Sequence, residues 1–60
     1  MKLLTVAEVA EEMSVSEKLI YRLTKRNEIP HIRIASAIRF DPLALELWIG
    51  KQTVENKNGR

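Results

Sequence analysis

Ser16-Glu17-Lys18-Leu19-Ile20-Tyr21-Arg22-Leu23-Thr24-Lys25-Arg26 reads as a short helix with an apolar back and a basic, aromatic-bearing front. At roughly 100° per residue, Leu19, Ile20, Leu23 and Asn27 fall on one side. Lys18, Tyr21, Arg22 and Lys25 fall on the other, at the spacing of neighbours on a helix surface. Ser16 is a natural N-cap. Asn27 tolerates the left-handed conformation common just past a helix end, and Pro30 blocks continuation, so the helix ends near Arg26 or Asn27. Lys25 and Arg26 suit the negative end of the helix dipole. Taken alone, the positive face has two readings. It is a surface for a polyanion, shaped to fit a DNA major groove, or a solvated face that happens to be basic.

Upstream, Thr5-Val6-Ala7-Glu8 is a capping box, in which the threonine oxygen takes the Glu8 amide and the Glu8 side chain reaches back. It predicts a first helix from Val6 to Met13, with Val6, Val9, Ala10 and Met13 on one stripe and Glu8, Glu11 and Glu12 towards water. Ser14-Val15-Ser16 is long enough only for a tight turn, with Val15 buried at the corner. Helix, three-residue turn and helix is helix-turn-helix spacing.

Downstream the period changes to two. Ile32 and Ile34 alternate with Arg33, and Ile38 and Phe40 with Arg39. His31–Ile34 and Ile38–Phe40 therefore read as a small hairpin around Ala35-Ser36-Ala37, one face apolar and resting on the helices, the other carrying Arg33 and Arg39. Such a hairpin is a wing. Asp41-Pro42 opens a third helix, aspartate as N-cap and proline at the first helical position. Leu43 and Leu47, with Ala44 and Trp48, supply its buried face, and Gly50 is its expected stop. Trp48 reads as a core anchor, the alternative being a partner-binding residue. The predicted fold is mainly α with a small β-hairpin: a winged helix-turn-helix over residues 1–50, followed by a disordered polar tail over 51–60.

Composition narrows the function. Sixty residues make one domain with a small core. Without cysteine there is neither a disulfide framework nor a thiolate metal site. The single histidine, His31, reads as a strand residue, so no metal site is expected. One histidine and two glycines leave no catalytic triad and no glycine-rich phosphate loop, and so small a chain leaves no enclosed substrate pocket. The expectation is a protein that binds, without catalytic residues and without a cofactor. No apolar run approaches the ~20 residues that span a bilayer, and Lys2 before Leu3-Leu4 is no signal peptide; a soluble cytoplasmic protein is expected. The charge is segregated. Lys2 against Glu8, Glu11, Glu12 and Glu17 leaves residues 1–17 at −3. Lys18, Arg22, Lys25, Arg26, Arg33 and Arg39 against Glu28 leave residues 18–39 at +5, and residues 40–60 are neutral. A basic middle third favours nucleic acid as partner.

Together, Leu4-Thr5-Val6-Ala7-Glu8-Val9-Ala10, Val15-Ser16, Ile20-Tyr21-Arg22-Leu23, Ile29-Pro30 and Ile38-Arg39-Phe40 resemble the excisionase family of small DNA-binding proteins over roughly Leu3 to Ile49. That family is related to the winged helix-turn-helix domain of MerR-type regulators. The resemblance implies a recognition helix, Glu17–Arg26, in the major groove of double-stranded DNA, with the wing against the neighbouring minor groove or backbone. By position, Lys18, Tyr21 and Arg22 are the candidates for base edges, Arg22 able to bond a guanine twice. Lys25 and Arg26 are the candidates for phosphate, and Arg33, Ser36 and Arg39 for the wing contacts. Arg39 has an alternative role, pairing with Glu28 or Asp41 to hold the wing. Thr5 is a candidate phosphate contact at a helix N-terminus, though capping also explains it. Glu17 either accepts from a cytosine amino group or is a first-turn acid that suits the dipole.

Where the family has glycine at the wing turn, this chain has Ala35-Ser36-Ala37. Neither alanine nor serine readily takes the positive φ of a two-residue hairpin turn, which predicts a longer or more open loop. The family implies an excisionase that binds and bends DNA near an attachment site and assists an integrase. A small transcriptional regulator of the same fold is the alternative, and a protein-interaction module a lesser one. With no heptad seam or long dimer helix, a monomer is expected, in several copies on adjacent DNA sites.

Overall fold

The computed structural model describes residues 1–53. The elements run α1 (Val6–Met13), α2 (Glu17–Lys25), β1 (Ile32–Ile34), β2 (Ala37–Arg39) and α3 (Pro42–Gln52). Residues 54–60 of the predicted tail lie outside the described residues.

The capping box at α1 forms as the sequence requires: Thr5 Oγ1 accepts from the Glu8 amide at 3.1 Å, and a Glu8 carboxylate oxygen accepts from the Thr5 amide at 2.9 Å. Hydrogen bonding to Thr5 holds the Glu8 carboxyl below the usual carboxylate range, with smaller help from the charges of Lys2 and Arg39. Val6, Val9 and Ala10 are buried and Met13 half-buried, as expected of this stripe. Ser14 ends α1 in the left-handed conformation at φ 58°. Its amide donates to the Glu11 carbonyl at 3.2 Å and that of Val15 to the Ala10 carbonyl at 3.0 Å, which turns the chain in three residues. Ser16 caps α2 by accepting from the Leu19 amide at 3.1 Å.

In α2, Ile20 is buried and Leu19 and Leu23 are half-buried. Asn27, expected on this apolar side, is instead exposed, because the helix ends at Lys25 and Asn27 leaves its spiral with φ 58°. The buried place beside Ile20 goes to Thr24, whose hydroxyl donates to the Tyr21 carbonyl at 2.8 Å. A buried hydroxyl satisfied by its own helix needs no partner elsewhere.

The hairpin corrects three expectations. β1 and β2 are antiparallel with Ile32 opposite Arg39, Arg33 opposite Ile38 and Ile34 opposite Ala37. Cross-strand partners share a face, so Arg33 and Arg39 lie on opposite faces, and the ribbon is not divided into one apolar and one basic side. Ile38 packs on the core, whereas Ile32 and Ile34 are 37% and 52% exposed on the outer side. The register also leaves a two-residue loop, Ala35-Ser36, not a longer or more open one. Ala35 supplies the positive φ, 56°, at the first loop position, the place a type II′ turn gives to glycine. Phe40, expected as the last residue of the second strand, leaves this ladder and forms a bridge with Leu4. The Leu4 amide donates to the Phe40 carbonyl at 2.8 Å and the Phe40 amide to the Leu4 carbonyl at 2.9 Å.

In α3, Asp41 caps by accepting from the Leu43 amide at 3.1 Å, and Pro42 is the first helical residue. Its buried side differs from the expected one: Leu43 and Leu47 are 70% and 72% exposed, and Leu45 is buried, flanked by half-buried Ala44 and Trp48. Six apolar residues between Leu43 and Ile49 leave the helix without a marked polar side, so periodicity alone does not fix which stripe docks. The helix also runs through Gly50 to Gln52; a side chain at Gly50 would meet open space.

Phe40, Ile20 and Val9 are the largest fully buried side chains, joined by Val6, Ala10, Ile29 and Leu45. Trp48 lies against the edge of this cluster and Phe40 takes the anchor's place. Ile29 enters from the connection between α2 and β1, where the His31 ring donates from Nδ1 to its carbonyl at 2.8 Å.

Candidate nucleic-acid interface

Docking Ile20 and Thr24 into the core turns the opposite side of α2 outward. Glu17, Lys18, Tyr21, Arg22, Lys25 and Arg26 are all exposed. Lys18, Arg22 and Lys25 make a basic strip along the outer face, one turn apart. Arg26 follows the helix as its C-cap, and its guanidinium lies 3.9 Å from Glu28, with both side chains more than half exposed. Such a pair contributes at most ~1 kcal/mol and leaves Arg26 free to meet another anion. It is the single ion pair among the described residues.

The expected alternative for Arg39, a bond to Glu28 or Asp41, is therefore not made. Arg39 is half-buried and donates from a terminal guanidinium nitrogen to the Ile38 carbonyl at 2.8 Å. This holds the side chain over β2, where it makes no ion pair among the described residues. It borders a groove of about 310 Å³ between the start of α1, the front of α2 and β2 with its turn. Thr5, Val6 and Ala7 form one wall, Glu17 and Tyr21 a second, and Ser36, Ala37, Ile38 and Arg39 the third.

Three of the elements expected to act together thus meet at one place. Tyr21 is half-exposed on the α2 wall, one turn after Glu17. Thr5 is occupied as a cap, which accounts for its presence without a ligand. Arg33 is exposed on the outer strand but is not among the groove's lining residues. Ala7, Ala37 and Ile38, which sequence reading did not single out, help to shape it. Small and apolar residues carry no chemical signature, and only the register places them there.

Among the described residues no cluster of histidine, cysteine and carboxylate groups is arranged to hold a metal. No described helix is long and apolar enough to cross a membrane.

The family model described as a helix-turn-helix domain matches residues 3–53. The chain belongs to this helix-turn-helix family. The resemblance read from the sequence thus holds for an excisionase-type, DNA-binding helix-turn-helix domain. Two Mycobacterium tuberculosis proteins, MT0521 of strain CDC 1551 / Oshkosh and Rv0500A of strain ATCC 25618 / H37Rv, are each 47% identical to the helix-turn-helix domain over 38 residues. Both are provisionally named DNA-binding proteins. The match covers 63% of this chain and 49% of each relative, so the chain spans about half the length of the curated relatives it matches. No solved structure matches the chain.

Proposed function

We propose that this helix-turn-helix domain binds double-stranded DNA sequence-specifically, with α2 in the major groove and the wing beside it. The observation that carries the reading is the basic strip Lys18-Arg22-Lys25, exposed on a helix whose back is fixed in the core and whose front borders a groove lined by the Arg39 guanidinium. Rigid presentation lets a helix read base edges, because bidentate contacts tolerate little positional error. Lys18, Tyr21 and Arg22, in the first turns of α2, are assigned to base edges. Lys25 and Arg26, at its end, are assigned to phosphate, and Arg33, Ser36 and Arg39 from the wing to phosphate or the minor groove. Thr5 is a candidate phosphate contact at the start of α1 beside its role as cap, and Glu17 is a first-turn acid that suits the helix dipole, with a cytosine amino group as its alternative partner. The provisional names of the mycobacterial relatives point the same way.

The biological role proposed is that of an excisionase in the cytoplasm. A monomer in solution occupies adjacent DNA sites in several copies, bends the duplex near an attachment site and assists an integrase. The protein itself performs no covalent chemistry and takes no cofactor. The MerR-like winged arrangement, with residues 1–50 as the binding unit, is part of the same proposal.

A footprint of the purified protein on the DNA flanking its own gene, at moderate salt, tests this. Several adjacent protected sites beside a recombination end support the excisionase role. A single protected site over a promoter assigns the same fold to transcriptional regulation. No protection at any concentration, with the protein folded by circular dichroism, refutes the DNA-binding reading and leaves an acidic protein partner for the basic helix.

A further inference from the structure

The outer face of the wing does not look like a phosphate clamp. Ile38 and Phe40 turn into the core, so the register places Ile32, Ile34, Ala37 and Arg39 together on the opposite face. Ala37 and Arg39 border the groove beside α2, and Ile32 and Ile34 extend that face onto the outer strand, 37% and 52% exposed. The tip, Ile34-Ala35-Ser36-Ala37, carries no charged side chain. Phosphate contacts are made by arginine, lysine, hydroxyls and backbone amides. Here only the Ser36 hydroxyl and the turn's amides qualify, while the most prominent side chain is a branched hydrocarbon.

The surroundings identify what covers that hydrocarbon. Arg39 stands opposite Ile32 on this face, Arg33 sits between the two isoleucines in sequence and on the other face, and Tyr21 and Glu17 of α2 line the wall across the groove. An apolar tip framed by cations matches a polyanion whose charges lie on its rims and whose interior presents sugar walls and stacked bases. That is the minor groove of duplex DNA, where proteins insert isoleucine or leucine wedges between base steps and kink the duplex by ~20–90°.

The geometry points to Ile34 as a wedge at the wing tip that enters the minor groove next to the α2 site and bends the DNA, with Arg39 following into the groove behind it. This rests on the DNA-binding reading and adds to it the residue and the kind of contact. A narrow A·T-rich minor groove attracts an inserted guanidinium, and pyrimidine–purine steps unstack most readily. The site is therefore expected to place a TA or CA step, rather than a G·C-rich segment, under the wing.

The test measures end-to-end distance by energy transfer in a duplex labelled at both ends and carrying the footprinted site. The full chain is compared with I34A and I34M, each checked for folding by circular dichroism. Wild type is expected to bend the duplex. I34A is expected to bind with the α2 part of the footprint intact but to lose at least half of the bend. I34M, which keeps an apolar wedge, is expected to restore it. A wild-type complex with straight DNA, or I34A bending like wild type, overturns the wedge and leaves the DNA-binding reading standing. Failure of wild type to bind duplex DNA overturns both, and the footprint registers that failure independently.

Discussion

Replacing Ala35 with glycine is expected to stabilise the domain, and the magnitude follows from one angle. Ala35 holds φ at 56° at the first position of the wing turn. An L-residue in the left-handed region costs roughly 1–2 kcal/mol because its Cβ crowds the following carbonyl. Glycine removes that cost but gives the unfolded chain more freedom, about 0.4–1 kcal/mol in the opposite sense. The difference leaves A35G more stable by about 1 kcal/mol, which for a domain of this size raises Tm by roughly 4–8 °C. Trp48, the only tryptophan, packs against the core and reports unfolding by its fluorescence, and circular dichroism supplies a second probe. Because Ala35 is exposed, the change removes no packing that would obscure the backbone effect. S36G is the control: Ser36 is not among the positive-φ residues, so glycine there should destabilise by a few tenths of a kcal/mol to about 1 kcal/mol. Equal or lower stability of A35G, or the same gain from S36G, refutes the strain argument.

On the proposed DNA site, R22A should weaken binding by about 1–3 kcal/mol and relax preference at one base pair; unchanged specificity in a selection from random duplexes removes Arg22 from the readout. K25A should weaken all sequences alike and reduce the slope of log K against log salt by about one, and an effect confined to one sequence contradicts a phosphate role. Hydrogen bonding from Thr5 lowers the Glu8 carboxyl in the folded state. Its contribution is therefore complete above the usual carboxylate range and disappears as the pH falls through the lowered folded value. E8Q, which preserves a capping-box partner, should flatten the acid limb of the stability profile, and identical acid limbs contradict the linkage. F40A should cost about 3–5 kcal/mol against a total on the order of 3–9 kcal/mol for sixty residues, leaving much of the chain unfolded. W48A, at the edge of the cluster, should leave a folded protein with a lowered Tm, and the reverse ranking contradicts this assignment of the core.

What was legible in the sequence were the features with local causes. Thr5, Ser16 and Asp41 announce helix starts because a cap is satisfied within three residues of itself. The basic front of α2 was legible for the same reason, since a short amphipathic helix has one way to dock. Pairing register is not local. The pattern Ile32-Arg33-Ile34 shows that these side chains alternate, but which set meets the core depends on where β2 lies, and a shift by one residue exchanges the faces. In α3, Leu43 and Leu47 share one side of the helix and Leu45 lies on the opposite one, so the choice of Leu45 belongs to the shape of the core. Thr24 and Ile29 were missed because a threonine on a helix and an isoleucine in a loop become core only through tertiary packing. At the site, the exposed cations were visible from the sequence. That Arg39 makes no ion pair with Glu28 or Asp41, and that Arg33 faces the other way, was not.

The Leu4–Phe40 bridge gives the chain a clasp. The two short hydrogen bonds join residues separated by nearly the whole helix-turn-helix and hairpin, whereas the turns and caps within that span need only near neighbours. Closing a long loop carries an entropic cost that its contacts recover only once the clasp is shut. The caps and turns close over a few residues and the clasp over more than thirty, so closure at Leu4 and Phe40 is expected to follow them in folding. In native-state hydrogen exchange the amides of Leu4 and Phe40 then open together, with a common free energy, because neither bond survives without the other.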